Sequence, residues 1–272
     1  MVQFPHAKIN LGLHVKEKRA DGYHNIETIF YPIPLADALE IIPAPGLGAP
    51  GFKSYGLTIP GNTENNLCVK AWNLLKADHP QLPPVNIFLL KKIPMGAGLG
   101  GGSADGAYML KMLDKYFDLQ LSTAEMEQYA LQLGSDSPFF IRNTAVLASG
   151  RGEIMEPVMV DLTGYAMLMV YPGIHVSTAE AFSQVNPHPG SGILIAEIVQ
   201  QPVDTWKGQL VNDFETSVFP RFEELASLKE QLYSLGAVYV SMTGTGSAFY
   251  ALFPKKKDVS TLFPAHYVHS WF

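Results

Sequence analysis

Residues 91–117 read KKIPMGAGLGGGSADGAYMLKMLDKYF, and this stretch decides the fold. Five of the seven residues from Gly96 to Gly102 are glycine. Val85 to Lys91 before them has strand character and a helical pattern begins near Ser103, so the order is strand, glycine loop, helix. Glycine admits positive φ and close backbone approach, which lets several N–H groups converge on one anion. The helix that follows adds about half a positive charge at its N-terminus. A phosphate chain is the natural ligand of such a loop. A Walker-type loop is excluded, because no Lys-Ser or Lys-Thr pair follows the glycines. Gly96, Gly98 and Gly101 satisfy the G-x-G-x-x-G spacing, but a dinucleotide site needs another strand ending in an acid about 20 residues on. A second capped helix stands there instead. A hydrolase elbow around Ser103 fails because Asp105 occupies the second glycine position. A flexible linker is the bland alternative, opposed by Pro94, Met95 and the strong helix start.

Working outward, Ala7 to Val15 alternates, with Ile9, Leu11, Leu13 and Val15 on one face and Lys8, Asn10, Gly12 and His14 on the other, as a half-buried strand does. Arg19-Ala20-Asp21-Gly22 carries a turn signal, and His24 to Ile33 alternates again as a hairpin return. Leu39 to Pro43 and Gly51 to Ile59 are strand candidates, followed by a loop over 60–66 and a helix over 67–78. Ser122-Thr123-Ala124-Glu125 has capping-box spacing for a helix running to about Leu133, and Ser177-Thr178-Ala179-Glu180 repeats that spacing. Strands are expected over 144–149, 154–160 and 165–171, and helices at about 190–200, 211–218 and 221–234. Two further strands, 237–242 and 247–253, flank Thr243-Gly244-Thr245-Gly246, and the segment around His266 and His269 reads as a final strand. The fold class is α+β, with strand-rich ends, a helical middle and a domain division placed at 1–155 and 156–272.

A chain of 272 residues with 47% apolar and 16% charged residues can bury a sizeable core, and two lobes are expected. A formal charge of −6 leaves no field for a nucleic-acid backbone or an anionic membrane. The basic run Lys255-Lys256-Lys257 reads as the opening of a solvated helix. Cys68 is the single cysteine, so neither an intrachain disulfide nor a two-cysteine metal clip is available, and no metal site is expected at His266 and His269. With no signal-like N-terminus and no apolar run near ~18 residues, a soluble cytoplasmic protein, monomer or homodimer, is expected.

The stretch PMGAGLGGGSADGA at 94–107 resembles the nucleotide loop of the GHMP kinases, the superfamily of galactokinase, homoserine kinase and mevalonate kinase. AKINLGL at 7–13, RADGYH at 19–24, LGSDSPFF at 133–140 and MTGTGSAFY at 242–250 extend the resemblance over nearly the whole chain. In that order the blocks are most similar to the branch whose acceptor is a cytidine diphosphate-linked methylerythritol. The resemblance implies a two-lobed GHMP kinase fold with the active site between the lobes and a left-handed β-α-β crossover that physical rules would not predict. It implies transfer of the ATP γ-phosphate to an alcohol, with Mg2+ accompanying ATP, the nucleotide being held by Pro94, Met95, Gly96, Ala97, Gly98, Leu99, Gly100, Gly101, Gly102, Ser103 and Ala104. Ala97, Ser103-Ala104-Asp105, Ser135 and Ser137 depart from the commonest family wording, and none removes a needed group.

Matched to the family motifs, Asp136 is the candidate base, and also a substrate contact; from residue type alone it equally suits a helix cap before Pro138. Lys8 matches the lysine of the first motif, where it would keep Asp136 ionised, orient it, or stabilise charge on the transferring group. Otherwise it is an exposed strand lysine. Asn10 is a substrate-bonding candidate, with strand-edge solvation as its alternative. Tyr23 and His24 match the cytosine pocket, with Phe182 closing the other side of the stack and Thr178 a further contact. Against this, an aromatic on a helix is usually core. Gly244, Thr245 and Gly246 form either a turn between strands or a phosphate approach.

Overall fold

The computed structural model describes residues 1–46, 48–188 and 194–272. Its strands are β1 (Val2–Gln3), β2 (His6–Lys18), β3 (His24–Ala36), β4 (Ala38–Pro43), β5 (Gly51–Gly56), β6 (Val85–Lys91), β7 (Val146–Ser149), β8 (Ile154–Pro157), β9 (Ala166–Tyr171), β10 (Tyr239–Met242), β11 (Phe249–Phe253) and β12 (Val268–Trp271). Its helices are α1 (Leu67–Asp78), α2 (Gly101–Phe117), α3 (Thr123–Leu133), α4 (Phe139–Arg142), α5 (Thr178–Gln184), α6 (Ile195–Ile198), α7 (Phe214–Val218) and α8 (Glu223–Ser234). The chain forms two compact units, one from residues 1–8, 32–95 and 100–144, the other from 9–31, 96–99 and 145–272.

The first unit holds a sheet of order β1-β4-β6-β5 and helices α1, α2 and α3, which pack on one another, with α2 against β4. β4 pairs antiparallel with β6 and β5 pairs parallel with it, so β5, α1 and β6 form a β-α-β crossover. Alternation along VNIFLLK turns Val85, Ile87, Leu89 and Lys91 inward and leaves Asn86, Phe88 and Leu90 facing out. Asn66 caps α1, its side chain accepting from the Cys68 N–H, and Ser122 and Glu125 close a full capping box on α3. Helix α2 has no side-chain cap; Gly100, left-handed at φ +69°, is its N-cap, and the helix starts at Gly101, two residues before the pattern suggested.

In the second unit β10-β11-β9-β12 is antiparallel throughout and covers a core that includes Leu168, Val170, Phe214, Leu228, Val240 and Phe249. The sheet of order β2-β3-β7-β8 pairs Thr28 with Ala148 and Phe30 with Val146 in this unit.

Three local expectations need correction. Lys255–Lys257 opens no helix: the segment is irregular, and Asp258 accepts from the Ser260 N–H, an Asx turn that competes with helical pairing. Ser177 caps α5 by accepting from the Glu180 N–H, but the Glu180 carboxylate pairs with Arg221 at 2.6 Å, so the reciprocal half of the box is not made. The helix expected at 211–218 begins only at Phe214, because Val211 and Asp213 bond to Leu13 of β2. Of the helix expected at 190–200, residues 195–198 are helical and 190–193 lie outside the described residues.

Candidate active site

β2 is buried on both faces from Ala7 to Val15, not half-buried as its alternation suggested, and Lys8 within it is 3% exposed. Its ammonium lies 3.6 Å from Asp136 Oδ2, and the Asp136 side chain is 35% exposed, so the carboxylate remains open to a ligand. Burial pulls the Lys8 ammonium below its ordinary value, while the Asp136 charge and hydrogen bond hold part of it up. Asp136 stands in the turn after α3. Ser135 Oγ donates to its Oδ1 at 3.2 Å, and its own carbonyl accepts from the Phe139 N–H, opening α4. The N-cap of α4 is Pro138 and no side chain caps it, so the Asp136 carboxylate does not serve as the helix cap and faces Lys8 instead. Gly100 carries the glycine loop to this pair: a Cβ there would meet Lys8 Cγ at 3.2 Å and Phe140 Cζ at 2.8 Å. Only a residue without a side chain lets the loop pass that close.

Beneath the start of α2, Lys91 Nζ donates to Asp37 Oδ2 at 2.5 Å and to Asp105 Oδ2 at 2.7 Å. Asp37 Oδ1 accepts from the N–H groups of Lys92 and Ile93, which fixes the chain leading into the loop. Desolvation, opposed by Lys91 and aided by Asp37, pushes Asp105 up to about 8, and its Oδ1 has no partner. Despite burial, Asp105 and Asp37 together hold Lys91 above its ordinary value. Lys91, Asp105, Gly102, Met95, Asn65 and Asn66 line a cavity of about 410 Å³. Sequence reading missed this triad. The signal was present, because Lys91 shares the parity of Val85, Ile87 and Leu89, and a charge on a buried face needs a partner.

In the second unit Gly96 and Gly98 are left-handed, at φ +65° and +80°. A Cβ on Gly98 would stand 2.0 Å from the Thr243 carbonyl oxygen, and one on Gly244 3.0 Å from Gly98 Cα, so the two glycine motifs touch backbone to backbone. Ala97 accepts from the Ala248 N–H. Thr243 Oγ1 lies 3.2 Å from both Gly98 O and Asn10 Oδ1 and accepts from the Asn10 N–H. Asn10 Nδ2 donates to Thr28 Oγ1, whose hydroxyl donates to Gly12 O. Asn10 is thus bonded into the strand and the Thr243 turn. Asn212, which sequence reading also missed, donates to Met242 O at 2.8 Å and Gly244 O at 2.9 Å, and no local pattern marks it.

Thr178 Oγ1 lies 3.3 Å from Thr245 Oγ1, which brings the start of α5 to the 243–246 turn. His24, not Tyr23, stacks on Phe182, with centroids 5.1 Å apart and planes at 25°. Phe182 also meets Phe214 edge-on at 4.7 Å. Burial lowers the His24 imidazole, with Lys18 adding to it, which disfavours the charged form of the ring. Tyr23 is 57% exposed, with the Arg151 guanidinium 4.9 Å from its ring centre.

Residues 66–143 match the GHMP kinases N terminal domain and residues 196–265 the GHMP kinases C terminal domain. The chain is 49% identical over 263 residues to the 4-diphosphocytidyl-2-C-methyl-D-erythritol kinase of Bacteroides fragilis, covering 96% of this chain and 95% of that one. It is 50% identical to that of Cytophaga hutchinsonii, covering 95% and 94%. A crystal structure of 4-(cytidine 5'-diphospho)-2C-methyl-D-erythritol kinase superposes with a TM-score of 0.78 at 32% identity, covering 93% of this chain and 90% of the other. A mevalonate kinase at 15% identity, with a TM-score of 0.66 and coverage of 100% and 98%, shares the fold alone. With its glycine loop, its Lys8 and Asp136 pair and near-complete matches to these enzymes, the chain belongs to the GHMP kinases, in the 4-diphosphocytidyl-2-C-methyl-D-erythritol kinase family.

Proposed function

We propose that the chain transfers the γ-phosphate of ATP to the 2-hydroxyl of 4-diphosphocytidyl-2-C-methyl-D-erythritol, a step of non-mevalonate isoprenoid precursor synthesis. The observation that carries the chemistry is the Lys8 and Asp136 pair at 3.6 Å with Lys8 laid against Gly100. Asp136 takes the proton of the acceptor hydroxyl as that oxygen attacks the γ-phosphorus, the bond to the β-phosphate oxygen breaks, and ADP leaves with the electron pair. Lys8, buried beside Asp136, orients that carboxylate and offsets charge on the transferring group. The left-handed glycines free N–H groups for the phosphates, and the cavity beside Lys91 and Asp105 has room for the nucleoside. His24, Phe182 and Tyr23 form an aromatic surface suited to the cytosine, with Thr178 and Thr245 hydroxyls beside it. Among the described residues no group of three or more His, Cys, Asp or Glu is placed to hold an ion. Mg2+ entering with the triphosphate would offset charge on the phosphates, and the oxygens of Asp136 and Ser103 are the protein groups that would hold it.

The family domains we place at 1–155 and 156–272, a division that falls in the gap between the matched segments 66–143 and 196–265. No helix among the described residues is long and apolar enough to cross a membrane, and a cytoplasmic location suits two soluble nucleotide substrates. The deciding assay offers ATP with magnesium and, separately, the cytidylated acceptor, the uncytidylated alcohol and mevalonate, for the natural chain and Asp136→Asn. Turnover of the cytidylated acceptor alone, lost on the order of 10² to 10⁴-fold in the variant, is expected. Turnover of mevalonate in its place would move the chain to another GHMP kinase activity.

A further inference from the structure

We propose that His175, which belongs to none of the motifs read above, is a phosphate-binding residue whose imidazole donates to a phosphate oxygen lying over the start of the glycine loop. The proposal deepens the phosphoryl-transfer reading and rests on it. Gly96, the first glycine of the loop, is left-handed at φ +65°. A Cβ there would stand 3.2 Å from His175 Nδ1 and 3.4 Å from its Cε1, so the ring lies against the backbone of the loop. His175 is nonetheless exposed, and among the described residues no hydrogen bond, ion pair or ring contact engages its imidazole. A ring nitrogen with its bonding capacity unspent thus stands beside a loop whose backbone suits an anion.

One turn holds both partners of this contact in place. The 243–248 turn carries the glycine loop, through the approach of Gly98 to Thr243 and Gly244 and through the Ala248 N–H, which donates to Ala97 O at 3.2 Å. The same turn carries the His175 segment, because the buried Ser247 hydroxyl donates to Ile174 O at 2.5 Å. On the other side of His175, Val176 is sunk in the core of the second unit at 4% exposure. With both neighbours pinned, the ring is set against Gly96 by its backbone and by no bond of its own, which leaves the imidazole preorganised for a ligand.

Further along the segment Thr178 Oγ1 meets Thr245 Oγ1 at 3.3 Å, and Phe182 stacks on His24. In chain order His175, Thr178 and Phe182 therefore lead from the glycine loop to the aromatic surface suited to the cytosine. Both substrates of the proposed reaction bring phosphates to such a line, ATP its triphosphate and the acceptor the diphosphate that joins its cytidine to its alcohol. A neutral imidazole offers one N–H and a protonated one offers two, so a donor is present in either state. Its bond to an ionised oxygen is stronger than one between neutral groups.

Calorimetric binding of ADP, adenosine, cytidine diphosphate and cytidine to the full chain, natural and His175→Ala, reads the contact without requiring turnover. The variant is expected to bind ADP or cytidine diphosphate about 10-fold more weakly while the matching nucleoside binds as before, and the affected nucleotide identifies whose phosphates the ring holds. His175→Gln, which keeps an N–H donor on a side chain of similar reach, should recover at least ~3-fold of that loss. The melting temperature should be level in all three proteins, since the imidazole makes no bond within the fold. Unchanged affinity of His175→Ala for both diphosphates overturns the proposal, as does a nucleoside weakened as much as its diphosphate, a loss that Gln does not lessen, or a natural chain that binds neither diphosphate. A natural chain that binds both nucleotides yet transfers no phosphate would strike the catalytic reading instead, with the His175 contact still decided by the affinities.

Discussion

Replacing Asp105 with Asn tests whether the buried triad under the glycine loop carries an extra proton at neutral pH. Lys91 has one ammonium for two carboxylates, Asp37 and Asp105, and Asp105 Oδ1 has nothing to accept from. Burial first, with Asp37 adding to it and Lys91 opposing, moves the Asp105 carboxyl from 3.8 to about 8. The unfolded chain gives that proton up near the ordinary value, so between the two values the folded protein holds a proton that the unfolded protein lacks. Stability is then fully present below about pH 4, falls as pH rises, and levels off above about pH 8. The slope inside that window is about 1.4 kcal/mol per pH unit. From about pH 5 to about pH 7 the natural chain loses about 2–3 kcal/mol through this one group. Asn keeps the shape and cannot ionise, so the stability of Asp105→Asn relative to the natural chain should climb by that amount across the same interval. Urea unfolding of both proteins at matched pH values reads the difference, and titrations common to the two cancel in it. A difference constant with pH would mean that Asp105 is ionised throughout and simply paired with Lys91, and the reasoning would fail.

Gly98→Ala should destabilise the fold by about 1–3 kcal/mol or more and raise the KM for ATP, because its Cβ would enter the Thr243 carbonyl at 2.0 Å with φ at +80°; Gly102→Ala, which meets nothing nearer than Leu67 Cδ1 at 3.9 Å, should leave the melting temperature level or higher. Asn212→Ala removes the donor to two buried carbonyls and should cost about 2–4 kcal/mol in chemical denaturation. On the proposed acceptor, Phe182→Ala should raise KM by about 5- to 150-fold, equivalent to about 1–3 kcal/mol of lost stacking, with the KM for ATP unchanged; because Phe182 also packs on Phe214, Phe182→Leu is the control for lost packing.

Elements with strong local signals were legible from sequence. β6 runs over the expected Val85–Lys91, α1 over 67–78, and α3 ends at Leu133 behind its capping box. Each of these is set by alternation or capping within a few residues. Expectations failed where a distant group intervened, as when Arg221 draws Glu180 away from its cap or Leu13 takes the backbone hydrogen bonds of Val211 and Asp213. The site divides the same way. The glycine loop declares itself, whereas the meeting of Lys8 with Asp136 joins residues from far apart in the chain and was legible only through the resemblance to known kinases, and that of Asn10 with Thr243 was not read at all. The Lys91 triad lay within physical reach of the sequence, in a charge on the buried parity of a strand.

The piecewise make-up of the two units imposes an order on biosynthesis. Every piece of the first unit lies within residues 1–144, so its sheet and helices can assemble while the ribosome is still extending the chain. The second unit needs residues 145–272 before the 9–31 hairpin has strands and helices to pack against. Until those arrive, Ile9, Leu11, Leu13 and Val15, fully buried in the finished protein, stand in water on a hairpin whose outer edge awaits β7. The nascent chain is therefore most exposed to aggregation, and most in need of a chaperone, in the interval between emergence of the first strands and release of the last.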